Sequence, residues 1–173
     1  LELQSEILDN PSAGNYEELG DLNLEEGNYA QARQCYNKAL SIRTDSSDPF
    51  YRRGVAATLM GDFTAAVPDL ERVVTQDAQY DFYRAAGLLA HCYAHTGQPE
   101  KAEALFQQVT RISTMSETYY NYAAFLAQQN RNAEAREWAQ KLLDKRRTMP
   151  GYLKRRERPW FRKANSMLRQ LPA

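Results

Sequence analysis

A spacing of about 34 residues constrains this chain more than any other feature of its sequence. Three small residues recur 34 positions later with unchanged identity: Gly20, Gly27 and Ala32 reappear as Gly54, Gly61 and Ala66. A fixed period of this length is typical of repeat proteins, in which each unit buries its apolar face only against neighbouring units. The period therefore predicts a stack of similar units rather than one closed core.

The composition predicts that these units are helical. The chain has only 8 Gly among 173 residues, and Ala, Leu, Gln, Glu and Arg, which are strong helix formers, dominate it. Alternating runs rich in Val and Ile, which would indicate strands, are absent from the sequence. Hydrophobic residues make up 43% and charged residues 25%, as in ordinary globular domains. We predict a single all-α domain.

Residues at equivalent places in each unit resemble the tetratricopeptide repeat (TPR) family. The first unit contains Tyr16, Leu19-Gly20, Gly27-Asn28-Tyr29, Ala32, Tyr36 and Ala39-Leu40, and the second contains Phe50, Gly54, Gly61-Asp62-Phe63, Ala66 and Leu70. The third is looser, and the turn of the fourth, at residues 130–132, has no Gly. The resemblance implies a right-handed α-solenoid of about four helix pairs, a concave face lined mainly by the first helix of each pair, and a C-terminal capping helix.

The expected boundaries follow from the repeats and from Pro and Gly positions. We expect an N-terminal cap or partial preceding helix at 1–12, repeats at 13–46, 47–82, 83–115 and 116–149, and a basic C-terminal cap at 150–173. Gly27 and Gly61 are expected to end helices in the left-handed conformation. Pro68 is expected to bend its helix or to unsettle the first turns of that helix, and Pro159 is expected in the first turn of the cap helix.

Charge is distributed unevenly although the total is zero. Residues 1–140 contain 11 Lys and Arg against 20 Asp and Glu, whereas residues 141–173 contain 11 against 2. Three interpretations of the basic end stay open: a solvated cap helix, a contact with anionic lipid or nucleic acid, and a complement to the acidic body of the same or a neighbouring chain. The basic candidates are Lys154, Arg155, Arg156 and Arg158.

No pattern in the sequence indicates catalysis. Phosphate-binding loops, dinucleotide fingerprints and nucleophile elbows are absent, so we predict no enzyme, no catalytic residue and no cofactor. His91 and His95 lie four residues apart on one predicted helix face, but without a third ligand they predict no metal site. Cys35 and Cys92 are isolated and are interpreted as buried thiols in a reducing compartment.

The TPR resemblance implies that certain helix positions face the groove and bind a protein or peptide partner. Our groove candidates are Glu17, Asp21, Tyr51, Arg84, His91, His95, Asn121 and Gln128. TPR domains that grip a chaperone's acidic C-terminus use Lys and Asn at such positions, and the carboxylates of Glu17 and Asp21 would repel that ligand. We therefore expect a partner segment with basic and aromatic character.

The chain shows a second resemblance, to a group of bacterial TPR proteins that carry a short membrane-embedded segment ahead of the repeats. The sequence runs that carry this resemblance are residues 80–86, 116–118, 122–127 and 158–164. Since the chain begins with Leu1 and not Met, we expect a cytoplasmic part of a membrane-tethered protein. Our main functional hypothesis is an interaction scaffold. The alternative is a structural, self-associating module whose basic tail contacts an anionic surface, and nucleic acid is the less favoured partner.

Overall fold

The computed structural model describes residues 11–172, and over this range it consists of nine α-helices with no strand. The helices are α1 Ala13–Glu25, α2 Tyr29–Ile42, α3 Asp48–Leu59, α4 Phe63–Gln76, α5 Arg84–His95, α6 Pro99–Ile112, α7 Ser116–Gln128, α8 Asn132–Thr148 and α9 Gly151–Gln170. The all-α prediction is confirmed. The amphipathic stretch expected at Leu3, Ile7 and Leu8, in the predicted N-terminal cap, lies outside the described residues.

Neighbouring helices in the chain pack against each other in pairs, and the pairs stack into a solenoid. Each of α1, α3, α5 and α7 packs on the helix that follows it and also touches the next odd-numbered helix. The odd-numbered helices therefore form one continuous layer, which ends at α9. Over residues 11–172, none of the helices combines the length and hydrophobicity that a membrane-spanning segment requires.

Left-handed residues end the first helix of each pair, which keeps the turns short. Gly27, Gly61 and Gly97 have φ values of 81°, 77° and 71°. In the fourth turn, Asn130 takes this conformation with φ 61°, as Asn does more readily than most non-Gly residues. The sequence predicted the first two turns, and Asn130 explains how the fourth turn manages without Gly.

Small residues allow the helices to approach closely, as the repeat pattern predicts. A methyl group added at Gly20 would lie 2.6 Å from the ring of Tyr36, which is fully buried, and one at Gly87 would lie 2.4 Å from Oγ1 of Thr118. Gly20 thus permits the packing of α1 on α2, and Gly87 permits the packing of α5 on α7. Larger residues such as Phe106 fill the space between pairs, and its ring stacks on Tyr122 at 5.0 Å.

The cap helix differs from the prediction in where it begins. α9 starts at Gly151, immediately after Pro150, and Pro159 lies in its interior and not in its first turn. Pro159 is exposed, so its ring points away from the packed face, while Phe161 and Ala164 pack in one apolar cluster with α7 and α8. This packing offsets the backbone hydrogen bond that proline removes. α4 likewise continues through Pro68, from Phe63 to Gln76.

Candidate interaction surface

The odd-numbered helices carry most of the predicted groove residues, and a polar network connects three of these helices. The guanidinium of Arg84 on α5 donates through Nε to Oε2 of Glu117 on α7 (2.7 Å) and through Nη1 to the hydroxyl of Tyr51 on α3 (3.2 Å). The Tyr51 hydroxyl in turn donates to the carboxylate of Asp81. Arg84 therefore fixes α3, α5 and α7 relative to one another.

The protonation states of this network are stable. Burial by itself lowers the pKa of Arg84, but the hydrogen bond and the charge of Glu117 outweigh burial and raise the pKa overall. Burial raises the pKa of Tyr51, and the nearby carboxylate of Asp81 adds to that increase against the opposing charge of Arg84. The arginine is therefore charged and the tyrosine neutral throughout the physiological pH range.

The connection between α4 and α5, residues 77–83, has an unusual backbone. Asp81, Phe82 and Tyr83 have φ values of 49°, 53° and 68°, so three consecutive residues with side chains lie in the left-handed region. Each costs about 1–2 kcal/mol in that conformation. Bonds to the neighbouring helices hold the segment: Arg84 lies 3.8 Å from Asp81, and the hydroxyl of Ser113 donates to the carbonyl of Phe82. The segment presents Phe82 outward, and this residue is 85% exposed.

A cleft of about 730 Å³ opens beside this segment. It lies between the N-terminal ends of α5 and α7, the C-terminal end of α8 and the first half of α9. The lining residues are Asp81, Phe82, Arg84, Ser113, Thr114, Met115, Ser116, Glu117, Lys145, Met149, Leu153, Arg156, Glu157 and Trp160. A second pocket of about 430 Å³ between α1, α3 and α5 shares Asp81 and Arg84 with the cleft, so the two share one wall.

Two of the three cations that line the cleft have no ion pair with a described residue. The ammonium of Lys145 donates to the carbonyl of Thr114 and to the hydroxyl of Ser116 (3.1 Å), and it has no ion pair with any described residue. Burial lowers its pKa, with the charge of Glu157 acting in the opposite direction. Arg156 has no hydrogen bond or ion pair with any residue of the described range. Two positive groups therefore face the cleft without a carboxylate from residues 11–172 bound to them.

The acidic candidates of α1 are already paired with arginines. Glu17 lies 3.4 Å from the guanidinium of Arg43, and Asp21 lies 3.0 Å from that of Arg52. Asp21 also accepts a hydrogen bond from the hydroxyl of Tyr36 at 2.7 Å. These ion pairs weaken the field on which the expectation of a basic ligand was based.

His91 and His95 form an aromatic cluster with Phe63 of α4. Phe63 stacks on His95 at 4.2 Å and meets His91 edge-on at 5.3 Å. Burial lowers the pKa of His91 to about 4, and the charges of His95 and Lys163 act in the same direction. Within residues 11–172, no three His, Cys, Asp or Glu side chains lie close enough together to hold a metal ion.

The remaining candidates are distributed over α7 and α9. Asn121 is only 7% exposed and forms no hydrogen bond through its side chain with another described residue, and Gln128 is exposed at the end of α7. Of the predicted basic residues, only Arg156 faces the cleft, whereas Lys154, Arg155 and Arg158 lie elsewhere on α9. Sequence reasoning missed Phe82, Lys145 and Trp160 as site residues. The sequence feature that could have pointed to this region is the spacing of Gly61 and Gly97, which is 36 residues and not the usual 34.

Comparisons with known proteins agree with this architecture. Two models described as tetratricopeptide repeat match residues 57–119 and 116–141, and a model described as SHNi-TPR matches residues 16–49. No curated protein matches the chain.

Several solved structures are similar in fold. YrrB, described as a TPR protein with an unusual peptide-binding site, is 24% identical, with 80% of this chain and 71% of that chain covered and a TM-score of 0.68. A double mutant of MamA RS-1 is 20% identical, with 84% and 82% covered and a TM-score of 0.74. A thermophilic TPR protein of Thermus thermophilus is 15% identical, with 77% and 74% covered and a TM-score of 0.65. The repeat models together match residues 16–49 and 57–141 and show that the chain belongs to the tetratricopeptide repeat family.

Proposed function

We propose that this protein is an interaction scaffold that binds a peptide segment of a partner protein on its concave face, chiefly in the cleft between α5, α7, α8 and α9. Tetratricopeptide repeat proteins generally serve as protein-interaction scaffolds and generally lack enzymatic activity. We assign the interaction role to the cleft in particular, and we propose that the chain itself catalyses no reaction.

One observation carries the proposal: the cleft combines apolar walls with cations that lack carboxylate partners among the described residues. Met149, Leu153 and Trp160 form an apolar wall, and Lys145 and Arg156 supply positive charge beside it. Pockets that bind ligands typically join apolar surface to a few placed polar groups. A ligand carboxylate would gain a charge-assisted hydrogen bond here without displacing a carboxylate of the protein.

The cleft therefore favours a segment that carries an Asp or Glu next to a large apolar side chain. This replaces the basic ligand expected from Glu17 and Asp21, because both carboxylates are in ion pairs. The carboxylate would lie between Lys145 and Arg156, and the apolar side chain would pack against Trp160. Arg84 contributes by position, since its own charge is already matched by Glu117.

Other groove residues fit contacts with the backbone of an extended segment. The Asn121 side chain offers one acceptor and two donor protons, and no other described residue uses them. His91 is neutral near pH 7 because its pKa is lowered to about 4 by burial and by the charges of His95 and Lys163. Neutral polar groups in this position recognise the peptide backbone and leave charge selection to the cleft.

The test uses a library of random dodecapeptides displayed on phage and selected on the intact chain. We expect enriched sequences to share a carboxylate next to an aromatic or long aliphatic residue. The dissociation constants of synthetic copies are then measured by fluorescence polarisation for the wild type, for Arg156→Glu and for Arg155→Glu. Reversal of the cleft charge at Arg156 should weaken binding roughly tenfold or more, as expected for losing a charge-assisted contact.

Arg155→Glu is the matched control, because it changes the net charge equally on the same helix but outside the cleft. It should change the affinity by less than roughly threefold. Equal losses in the two variants, or no enrichment of any shared motif, would contradict the assignment of the cleft.

We extend the proposal to a cytoplasmic location. Cys35 and Cys92 are both free thiols, and Cys92 is fully buried. Unpaired cysteines of this kind are typical of proteins in reducing compartments. Burial raises the pKa of the Cys92 thiol to about 11, so the group is an unreactive packing residue. Fractionation of cells that express the native gene would test the location.

A further inference from the structure

α9 has two faces of opposite character. Its inner face packs against α7 and α8 through Phe161 and Ala164, with Trp160, Met167 and Leu168 partly buried beside them. Its outer edge carries four exposed arginines, at positions 155, 158, 162 and 169. At 3.6 residues per turn these four fall within about 60° of arc, and they extend over about 21 Å of helix length.

None of the four arginines is paired within residues 11–172. Arg155, Arg158, Arg162 and Arg169 form no hydrogen bond, ion pair or ring contact through their side chains there. Several arginines of the earlier repeats are in ion pairs, since Arg33 lies 2.8 Å from Asp62 and Arg53 lies 2.7 Å from Asp69.

Glu157, the acidic residue of α9, does not pair with any of these four arginines. Glu157 lines the cleft on the inner side, where its charge acts on Lys145. The outer edge is therefore a row of one charge sign, separated from the acidic body.

The shape of this edge suits a flat anionic surface better than nucleic acid. The major groove of DNA is about 8.5 Å deep and admits a protruding helix, whereas the second half of α9 packs against α7 and α8 through Phe161 and Ala164. Single-stranded nucleic acid binds on sets of exposed aromatic rings, and Tyr152 is the only aromatic residue of α9 that is mostly exposed, at 74%. A plane, by contrast, can meet all four arginines at once.

We propose that the outer edge of α9 binds the surface of an anionic phospholipid bilayer. Basic side chains near such a surface gain from its negative potential, and the gain falls off within a Debye length. The apolar face of α9 is buried in the solenoid, so the contact is electrostatic, peripheral and reversible by salt. Arg156, which lines the cleft, and Lys163 lie on a different side of α9 from the row, so a bilayer and a peptide can be bound together.

Vesicle co-sedimentation of the intact chain tests this proposal. The vesicles contain about 30% phosphatidylglycerol in phosphatidylcholine, with pure phosphatidylcholine for comparison, in buffer of low ionic strength. We expect binding to the anionic vesicles only, and its loss in high salt. Arg158→Glu with Arg162→Glu should weaken the binding at least about thirty-fold, since each surface charge contributes several-fold to the affinity.

Lys38→Glu with Arg111→Glu is the matched control, because both side chains are exposed and unpaired within the described range and the change in net charge is the same. It should weaken binding by less than roughly threefold, and circular dichroism should show both variants folded. Equal losses in the two double variants, or no binding of the folded wild type to anionic vesicles, would overturn the proposal.

Two further measurements separate the proposal from other partners of a basic surface. Duplex DNA that binds more tightly than the vesicles and displaces the protein from them would overturn it in favour of nucleic acid. Light scattering that shows salt-reversible dimers, abolished by the α9 variant and without vesicle binding, would overturn it in favour of a second copy. Peptide binding in the cleft is measured independently on the same α9 variant and should be retained.

Discussion

Glu17 and Asp21, on the first helix of the groove, each lie in an ion pair with an arginine, whereas Lys145 and Arg156, at the other end, have no ion pair within the described residues. The charges of Glu17 and Asp21 are matched within the fold, and those of Lys145 and Arg156 are not. Charge counted along the sequence does not show which of these side chains are in ion pairs. The structure separates them, because pairing inside the fold decides which charges a ligand can use.

The half of the solenoid formed by α1–α4 and the half formed by α5–α9 do not differ in packing, and the largest expected effects test that statement. Leu70 on α4 and Phe106 on α6 are both fully buried. Replacing either with Ala should lower the free energy of unfolding by about 3–5 kcal/mol, because each change leaves a cavity in a close-packed core. Urea denaturation measures both, with Phe82→Ala as the exposed control, for which we expect less than about 0.5 kcal/mol. A loss in one half only would mean that the halves differ in packing as well as in charge.

The histidines of α5 add a pH dependence to the second half. The pKa of His91 is lowered from 6.5 to about 4 in the folded chain, by burial first and then by the charges of His95 and Lys163. The unfolded chain therefore binds more protons between these values, so the folded state loses stability as the pH falls below 6.5. This one group should account for about 2 kcal/mol between about pH 7 and pH 5.

His91→Gln should remove most of that pH dependence, and unfolding at about pH 7 and about pH 5 measures it. His95→Gln removes one of the charges that lower this pKa but leaves His91 buried, so it should reduce the pH dependence by a smaller amount. The same slope of stability against pH in the wild type and in His91→Gln would show that another group titrates.

The arginines of the two halves should also differ in their contribution to stability. Arg84 joins α5 to Glu117 and Tyr51 in a partly buried network, and its replacement by Ala should cost about 1–2 kcal/mol of unfolding free energy. Arg52 pairs with Asp21 in a more exposed position, so replacing Arg52 by Ala should lower the unfolding free energy by no more than about 1 kcal/mol. Thermal denaturation of the two variants compares them, and equal costs would remove the distinction between the halves.

The smallest effect concerns the backbone of residues 81–83. Because φ of Phe82 is 53°, Gly fits this position better than Ala, and Phe82→Gly should be more stable than Phe82→Ala by about 1 kcal/mol. Both variants should bind a cleft peptide less tightly than the wild type, since both lose the exposed ring. If Phe82→Ala and Phe82→Gly are equally stable, the left-handed segment carries no backbone strain.

Much of the fold could be predicted from the sequence, because each repeat uses the same few residues for the same physical reasons. Gly20 and Gly27 are needed for a close approach and a left-handed turn, and both needs leave a visible period. The start of α9 could not be predicted in this way. Pro159 favours a first helical turn locally, but the helix begins directly after Pro150 and continues through Pro159 into the segment where Phe161 and Ala164 pack on α7 and α8.

The candidate site was less predictable than the fold. Helix positions place Tyr51, Arg84 and Asn121 on the groove helices, but they do not reveal that Glu17 and Asp21 are paired. Lys145 and Phe82 reach the cleft from the end of α8 and from a connection between helices, and neither follows the repeat period. Sites built from such irregular segments depend on tertiary contacts that periodicity does not report.

Photo-crosslinking tests the central claim most directly. Benzoylphenylalanine replaces Phe82 at the edge of the cleft in one variant and the exposed Ile42 at the end of α2 in another. A peptide enriched by display selection is then irradiated with each folded variant, and covalent adducts are measured by mass spectrometry. The account predicts an adduct from position 82 that excess unlabelled peptide suppresses, and none from position 42. A specific adduct from position 42 alone would contradict it.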